Sequence, residues 1–238
     1  SARSPRRAAY QGLFYLFEWV ACLKQGRKVG ISKTTLRALP LVRHYIPCGV
    51  PLDTYRPGRS KTPYPSILFI GDFDSRKQGR RLLRAFRDEI GIKEPTARVR
   101  VVGPQACDEP GVECLGNVPE ERLIDEYQRA WVLCIPSAYE GFGVPAIEAM
   151  ACGTAVVSAC GAGVKEILRD GETAVLCDKH GLGEAVLQVV QDHTLRDNLV
   201  ENGRGAAQAF GIDRTARLYE QVYAGAGAQD GLPGLDDL

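Results

Sequence analysis

The residues best suited to chemistry in this 238-residue chain lie between positions 140 and 148. Glu140 is followed by Gly141 and Gly143, and Pro145 precedes a second carboxylate, Glu148. Glycine lets a backbone approach a ligand closely, and proline favours the first turn of a helix, whose unpaired N–H groups attract phosphate. An ionised carboxylate repels phosphate but accepts hydrogen bonds from hydroxyl groups. Phosphates and hydroxyls in one ligand describe a nucleotide sugar.

Five segments, in the same order along the chain, resemble motifs of the family-4 retaining glycosyltransferases, which have the GT-B fold. Residues 139–157 resemble the E-x7-E signature of that family. The other four resemble the interdomain connector (46–50 with 55–57), the strand and basic loop that open the donor domain (66–79), the nucleobase segment (116–119 with 123 and 127) and a later glycine-rich turn and helix (161–171). The resemblance covers roughly residues 29–223. A lone E-x7-E is a weak signal, whereas five ordered motifs at compatible spacings are specific.

The resemblance implies a role for each matched residue. Glu140 would contact the transferred sugar, and Glu148 would accept hydrogen bonds from the ribose. Lys77 would bind the diphosphate and stabilise the charge that develops on it as it leaves, so Glu140 and Lys77 are the predicted catalytic residues. The remaining predicted substrate-binding residues offer backbone groups or charge to sugar, phosphate or base: Gly71, Arg76, Val118, Gly141, Phe142, Gly143 and Val144.

Each of these residues also has a plainer interpretation. Glu140 could be a loop carboxylate that faces water, Glu148 a surface helix residue, and Lys77 a solvated lysine. Gly141–Val144 could be a simple tight turn, and Val118 part of an ordinary strand-to-helix turn. The apolar neighbours of Glu148 favour a partnered carboxylate, because an unpaired buried charge is costly.

The basic loop departs from the family at one position. Asp72 follows Gly71 where the family usually has arginine, so a negative charge stands where a second cation is expected. Arg76 is the candidate to replace that cation. Glu166 either approaches the sugar or caps a helix.

Strand and helix signals alternate from residue 66 onward, which predicts an α/β fold with a Rossmann-like parallel sheet and helices on both faces, one half of a GT-B fold. Strands are predicted at 66–71, 98–103, 112–115, 131–135, 154–158 and 173–177. Helices are predicted at 78–90, 119–129, 144–151, 163–169, 181–192, 194–209 and 212–223. Ligands bind outside the carboxyl ends of such strands, so the loops at 71–77, 116–118, 137–144 and 159–164 should meet in one crevice.

The remaining segments predict the domain organisation. Residues 1–28 are interpreted as a helical segment left from the acceptor domain, with an apolar stretch at 13–23 that is too short to span a membrane. A short strand at 29–32 and a short helix at 34–39 open the connector, residues 29–65, which holds five prolines between 47 and 65. Residues 66–223 form the donor-binding domain, and residues 224–238 a disordered tail. The N-terminal acceptor domain of a complete enzyme is the missing partner.

Composition limits the function classes. The net charge of +1 gives no general attraction to nucleic acid or membrane. Eight cysteines without a C-x-x-C pair indicate free buried thiols, in preference to disulfides, in a reducing, cytoplasmic compartment. Three scattered histidines indicate no metal, and no cofactor is expected. One basic helix face is interpreted as solvated or as a peripheral membrane contact: Lys77, Arg80, Arg81, Arg84 and Arg87.

These observations predict the donor-binding domain of a hexosyltransferase that moves a sugar from a nucleoside diphosphate sugar to an unknown acceptor hydroxyl, with retention. The resemblance implies front-face attack without a side-chain nucleophile. The fragment alone is expected to be inactive. The alternative is a nucleotide-binding regulatory module without transfer activity. A dehydrogenase is disfavoured because no strand leads into G-x-G-x-x-G.

Overall fold

The computed structural model describes residues 17, 20, 21, 23, 26–39, 41–58, 60–159, 163–178 and 180–225. Tertiary contacts divide the chain into two units, residues 1–47 with 216–238 and residues 48–215. The predicted helix at 13–23 and the predicted tail at 224–238 fall almost entirely outside the described residues. The domain limits predicted at residues 28, 65 and 223 rest on motifs and remain predictions.

The smaller unit contains a short βαβ arrangement. Strand β1 (Val29–Gly30) pairs in parallel with β2 (His44–Tyr45), and helix α1 (Lys33–Ala38) lies between them in sequence. Ser32 begins the helix by accepting a hydrogen bond from the Thr35 N–H at 3.0 Å. The short strand and helix predicted here are confirmed to within two residues. Strand β2 was missed, because a pair of residues is too short for a hydrophobic period.

The larger unit is built on a six-stranded sheet in which every pair of neighbours is parallel. Its strands are β3 (Ser66–Ile70), β4 (Arg98–Val102), β5 (Val112–Cys114), β6 (Val132–Ile135), β7 (Ala155–Ser158) and β8 (Val175–Leu176). They are mostly branched apolar runs, as strands covered on both faces require. All six lie where the sequence predicts them, with ends that differ by at most two residues.

Helices cover both faces of this sheet, so the predicted Rossmann-like fold is confirmed. In chain order the helices of the larger unit are α2 (Gly79–Ala85), which continues through a π-helical turn (Phe86–Ile90) into α3 (Gly91–Lys93), then α4 (Glu120–Arg129), α5 (Val144–Ala151), α6 (Leu182–Gln191) and α7 (His193–Ala207). Helix α8 (Ile212–Ala224) comes next in the chain, and most of its residues belong to the smaller unit. Short 3₁₀ turns occupy Val164–Glu166 and Gln208–Phe210.

The helix predicted at 163–169 is wrong. Only the single turn Val164–Glu166 forms, because a hydrogen-bonded turn replaces the rest of the helix. The N–H groups of Thr173 and Ala174 both donate to the Arg169 carbonyl, and the Thr173 hydroxyl accepts from the Arg169 N–H. Gly171 has a φ of +73°, which supports the reversal of the chain.

The strand order places a crevice at the centre of the sheet. Along the sheet the order is β5-β4-β3-β6-β7-β8, so the chain runs from β3 toward one edge and then returns to start the other half at β6. The loops that follow β3 and β6 therefore leave in opposite directions. Ligands of open parallel sheets bind at this kind of switch point. The candidate loops at 71–77 and 137–144 are the two that border it.

A buried arginine links the sheet to helix α4. Arg100 on β4 makes two hydrogen bonds to the buried carboxylate of Glu126, at 2.6 and 2.8 Å, and also pairs with Glu113. Arg122 reaches the same Glu126 carboxylate at 2.8 Å. Two cations thus compensate a fully buried negative charge, which the hydrophobic pattern gave no reason to expect. Within the described residues, no helix is both long and apolar enough to cross a membrane.

Candidate functional site

The loops after β3 and β6 are joined by the carboxylate of Glu140. Its Oε1 accepts hydrogen bonds from Ser137 Oγ at 2.6 Å and Lys77 Nζ at 2.8 Å. Its Oε2 accepts from Arg76 Nη1 at 2.9 Å. We call these four residues the Glu140 cluster. The structure therefore brings together three of the residues singled out from the sequence, and adds Ser137, which no motif indicated.

Further hydrogen bonds fix the two loops against each other. Arg76 Nη1 also donates to the Tyr139 carbonyl at 2.9 Å, and the Ala138 N–H donates to the Arg76 carbonyl at 3.0 Å. Arg81 on helix α2 donates to the Pro136 carbonyl at 3.0 Å. The cations of the first loop and the carboxylate of the second thus stand in one connected arrangement at the switch point.

Glu140 is ionised in this arrangement. Burial by itself raises the pKa of its carboxyl group, but the hydrogen bonds from Lys77, Ser137 and Arg76 outweigh that cost and hold the pKa below its usual value. Only 4% of Glu140 is exposed, so the interpretation of Glu140 as a loop residue that faces water is wrong. The side chain of Lys77 is 20% exposed and that of Arg76 55%, so both cations remain open to a ligand from solvent.

Two glycines make this close packing possible. Gly71 follows β3 with a φ of +143°, and a Cβ there would lie 2.6 Å from Lys77 Cγ. The stem of Lys77 therefore crosses directly over Gly71. A Cβ on Gly163 would lie only 1.8 Å from the Glu140 carbonyl oxygen. Gly163 is a site residue that the predicted set omitted, although it belongs to the glycine-rich segment that the sequence singled out.

The segment after Glu140 forms the start of helix α5. Gly143 precedes the helix with a φ of +103°, and among the described residues no side chain caps the helix. A Cβ on Gly141 would meet nothing within 4 Å, so open space adjoins its backbone. The ring of Phe142 is buried edge-on against Phe210, with centroids 5.9 Å apart. Phe142 thus anchors the loop by its ring, and Val144 is the first helical residue.

Glu148 lies on the same helix in a half-buried position. Tyr127 of helix α4, whose side chain is fully buried, donates its hydroxyl to Glu148 Oε2 at 2.7 Å. Burial raises the pKa of Glu148, and the tyrosine hydroxyls of Tyr127 and Tyr55 offset this only in part. Glu148 is therefore a partnered carboxylate, as its apolar neighbours predicted. Its partner could not be identified from the sequence.

Val118 lies at the same edge of the sheet but farther away. It follows β5, which is separated from β3 by β4. The Gly103 N–H donates to the Gly116 carbonyl at 3.0 Å, so the loops after β4 and β5 are also connected. Glu166 is half-buried in its 3₁₀ turn.

The departure at Asp72 has a local explanation. Asp72 Oδ1 accepts the N–H of Asp74 at 2.7 Å and so stabilises the turn of its own loop. Asp74 in turn forms a two-pronged ion pair with Arg80. Neither carboxylate pairs with Lys77 or Arg76 among the contacts of the described residues.

The predicted basic helix face is partly wrong. Gln78 has a φ of +53° and helix α2 begins only at Gly79, so Lys77 lies outside the helix. Arg80 is paired with Asp74 and Arg87 with Asp88, which removes much of the positive charge from the face. A peripheral membrane contact remains a prediction.

The six described cysteines are free thiols: Cys48, Cys107, Cys114, Cys134, Cys152 and Cys177. The prediction that they are buried is confirmed for Cys134 and Cys152 and wrong for the other four, which are partly exposed. Cys22 and Cys160 fall outside the described residues, as do Gly161 and Ala162. No group of three or more potential metal ligands occurs in the described part of the chain. The absence of a metal and a cofactor remains a prediction.

Comparisons with known proteins agree with this geometry. The family model of the glycosyl transferases group 1 matches residues 54–206. D-inositol 3-phosphate glycosyltransferase 2 of Catenulispora acidiphila is 31% identical over 237 aligned residues, covering 82% of this chain and 55% of the relative. The chain thus spans about half the length of that relative.

Solved structures show the same fold. Sucrose-phosphate synthase from Thermosynechococcus elongatus superposes with a TM-score of 0.74 and 26% identity, covering 90% of this chain and 62% of that chain. Anabaena HepE in complex with UDP-glucose superposes with a TM-score of 0.72 and 16% identity, covering 86% of this chain and 65% of that chain. The matched segment and the sheet order lead to the same assignment. The chain belongs to the glycosyl transferases group 1 family, and its Rossmann-like fold matches that of GT-B glycosyltransferases.

Proposed function

We propose that residues 66–223 bind a nucleoside diphosphate sugar in the crevice between β3 and β6. The observation that carries this proposal is the Glu140 cluster, which places two solvent-accessible cations and a buried carboxylate at the switch point of the sheet. Membership of a glycosyltransferase family and the fold shared with a UDP-glucose complex support the same ligand class.

The cluster suits a ligand with phosphates on one side and sugar hydroxyls on the other. The Lys77 ammonium has three N–H donors and uses one of them for Glu140, so it can also bind a phosphate oxygen. Arg76 and the N–H groups at the start of helix α5 add positive potential to the same position. The oxygens of Glu140 accept hydrogen bonds from sugar hydroxyls.

The full-length protein would transfer the sugar with retention of configuration, as in the family-4 enzymes. The acceptor oxygen attacks the anomeric carbon from the face that the diphosphate leaves. The carbon–oxygen bond to phosphate breaks, its electron pair stays on the diphosphate, and a phosphate oxygen takes the proton of the acceptor hydroxyl. Lys77 and Arg76 stabilise the charge that grows on the departing diphosphate, and a preorganised cation is most effective for this purpose.

The rest of the enzyme is part of the proposal. Residues 29–65 would connect the donor domain to an N-terminal acceptor domain, which would hold the unidentified acceptor. The 238-residue chain alone would therefore bind donor without transferring sugar, because the acceptor hydroxyl must be held about 3–3.5 Å from the anomeric carbon. We place the enzyme in the cytoplasm, where nucleotide sugars and free thiols are both stable.

Titration calorimetry with UDP, GDP, ADP and their sugar conjugates tests donor binding directly. Nucleotides that carry one particular base should bind. In a separate unfolding experiment, such a ligand at about 100 times its Kd should add about 2.7 kcal/mol to the free energy of unfolding. Lys77→Ala should weaken this binding, whereas the control Arg84→Ala, in the last turn of helix α2, should not. Absence of binding by every nucleotide, or equal binding by Lys77→Ala, would overturn the proposal. The anomer formed by the full-length enzyme tests retention.

A further inference from the structure

The carboxylate of Glu148 is surrounded by groups from four parts of the larger unit. Tyr127 and Glu120 come from helix α4, Tyr55 from the segment before β3, Lys77 from the loop after β3, and Cys152 from the residue that ends α5. Lys77 is the only cation among the groups that influence Glu148 in the described residues. The hydroxyl groups must therefore supply much of what keeps this half-buried carboxylate ionised.

Tyr127 makes the direct contact. Its ring is completely buried, so the side chain has a fixed position, and its hydroxyl lies 2.7 Å from Glu148 Oε2. A hydroxyl that donates to a charged oxygen forms one of the stronger protein hydrogen bonds. The bond occupies Oε2, and no described residue donates a hydrogen bond of ordinary length to Oε1. One oxygen of Glu148 is thus left for a ligand.

Tyr55 holds Tyr127 in place. The two rings meet edge to face with centroids 6.2 Å apart, and the ring of Tyr55 is also buried. The Tyr55 hydroxyl donates to Glu120 Oε1 at 3.1 Å, and it also favours the ionised form of Glu148. The Tyr127 hydroxyl thus bonds Glu148 directly, whereas the Tyr55 hydroxyl bonds Glu120 and has a smaller effect on Glu148.

We propose that Tyr127 is a positioning residue that holds Glu148 ionised and oriented, so that its second oxygen accepts a hydrogen bond from the ribose of the bound nucleotide and selects ribonucleotides over deoxyribonucleotides. This inference rests on the proposed donor site and on the ribose contact that the family resemblance implies for Glu148; the role of Tyr127 is the new element. Tyr127 does not touch the ligand, because its side chain is buried behind Glu148. It acts through the carboxylate alone.

The proposal predicts a definite pH dependence. Glu148 accepts from the ribose only when it is ionised, so nucleotide affinity is full above the pKa of Glu148 and falls as the pH drops through it. Tyr127 donates to the ionised form. Removing its hydroxyl therefore raises the pKa of Glu148, and the loss of affinity begins at higher pH.

Calorimetric titration of Tyr127→Phe tests this dependence. The probes are the nucleoside diphosphate that binds the wild type and its 2′-deoxy form, titrated between about pH 5 and pH 8, which spans the range above the usual carboxyl pKa. The midpoint of the affinity loss should move up by roughly one pH unit, and ribonucleotide binding at acidic pH should weaken about tenfold. The deoxy form should lose less, so the ratio of the two affinities should fall.

Matched variants exclude a merely structural effect. Tyr55→Phe removes an equivalent hydroxyl that bonds Glu120, and should move the midpoint less. Tyr219→Phe removes a hydroxyl from helix α8 and should move nothing. In a Glu148→Gln background, which itself weakens binding, Tyr127→Phe should add no further loss, because its effect passes through the carboxylate.

Each outcome decides one question. If the wild type binds no nucleoside diphosphate, the proposed function fails. If the wild type binds and Tyr127→Phe leaves both the pH midpoint and the ribose preference unchanged, or weakens binding equally in the Glu148→Gln background, the positioning role is refuted while the donor site stands. If Tyr127→Phe does not fold, the wild type decides instead: a ribose preference that stays constant as the pH falls, or that survives in Glu148→Gln, refutes the role, because Tyr127 acts through the carboxylate alone.

Discussion

Replacing Glu140 with glutamine removes one negative charge from the Glu140 cluster and keeps the shape of the side chain. In the wild type, Lys77 and Arg76 contribute two positive charges and Glu140 one negative, a sum of +1. In Glu140→Gln the sum is +2. The two cations then lack the carboxylate that holds them at 2.8 and 2.9 Å, and become fully available to a diphosphate.

The expected gain in diphosphate affinity follows from the charge that is removed. A phosphate bound by Lys77 and Arg76 would lie about 6 Å from the Glu140 carboxylate, and two unit charges at that distance interact by about 0.7–3 kcal/mol for effective dielectric constants of about 80 to 20. Removing this repulsion should tighten binding of the free nucleoside diphosphate about 3- to 100-fold. The full-length enzyme should nevertheless turn over more slowly, because the sugar loses a charged acceptor.

Titration calorimetry with the free diphosphate, and the kcat of the full-length enzyme, measure the two opposite effects. Asp72→Asn is the matched control, because Asp72 carries the same charge in the loop that holds both cations and does not pair with either of them. It should change affinity less. Unchanged or weaker diphosphate binding by Glu140→Gln would refute the reasoning, and an equal gain in Asp72→Asn would assign the effect to the general field of the loop.

The same variant has a signature in stability. Since the pKa of Glu140 lies below its usual value in the folded protein, its ionisation stabilises the fold above about pH 4.3, the usual value, and this contribution is lost as the pH falls further. Denaturant unfolding of Glu140→Gln should show a smaller loss of stability over that acidic range than the wild type.

Three further substitutions, one of them with a control, test the remaining parts of the site and fold. Lys77→Ala should lower both diphosphate affinity and, in the full-length enzyme, kcat; lower affinity with normal turnover would leave Lys77 with binding alone. Gly163→Ala should reduce nucleotide affinity and stability, because the new Cβ would lie 1.8 Å from a backbone oxygen. The control is Gly205→Ala, whose Cβ would meet nothing within 4 Å and which should stabilise helix α7 by about 0.4–1 kcal/mol. Denaturant unfolding of Glu126→Gln should show a loss of about 3–5 kcal/mol, because buried arginine charge loses its counter-ion; a loss below about 1 kcal/mol, typical of an exposed pair, would contradict this.

The sequence by itself determined the strands of the central sheet and most of the helices, and it predicted which loops form the candidate site. Strands of the central sheet are continuous apolar runs, and such runs identify strands buried on both faces without knowledge of their neighbours. Glycines and a proline around Glu140 mark a turn into a helix for equally local reasons. Local signals failed where a competing local bond formed, as at Thr173, whose hydroxyl accepts from the Arg169 N–H and helps to end the predicted helix.

Only the tertiary structure decided how the site residues are partnered. Lys77 and Glu140 are 63 residues apart in the chain, and Tyr127 and Glu148 are 21 apart. Arg100 and Glu126 are 26 apart. No spacing rule relates such pairs, because the donor that meets a given carboxylate depends on which strands become neighbours. The placement of β3 beside β6 brings the cations of one loop to the carboxylate of the other, and that placement is a property of the assembled sheet.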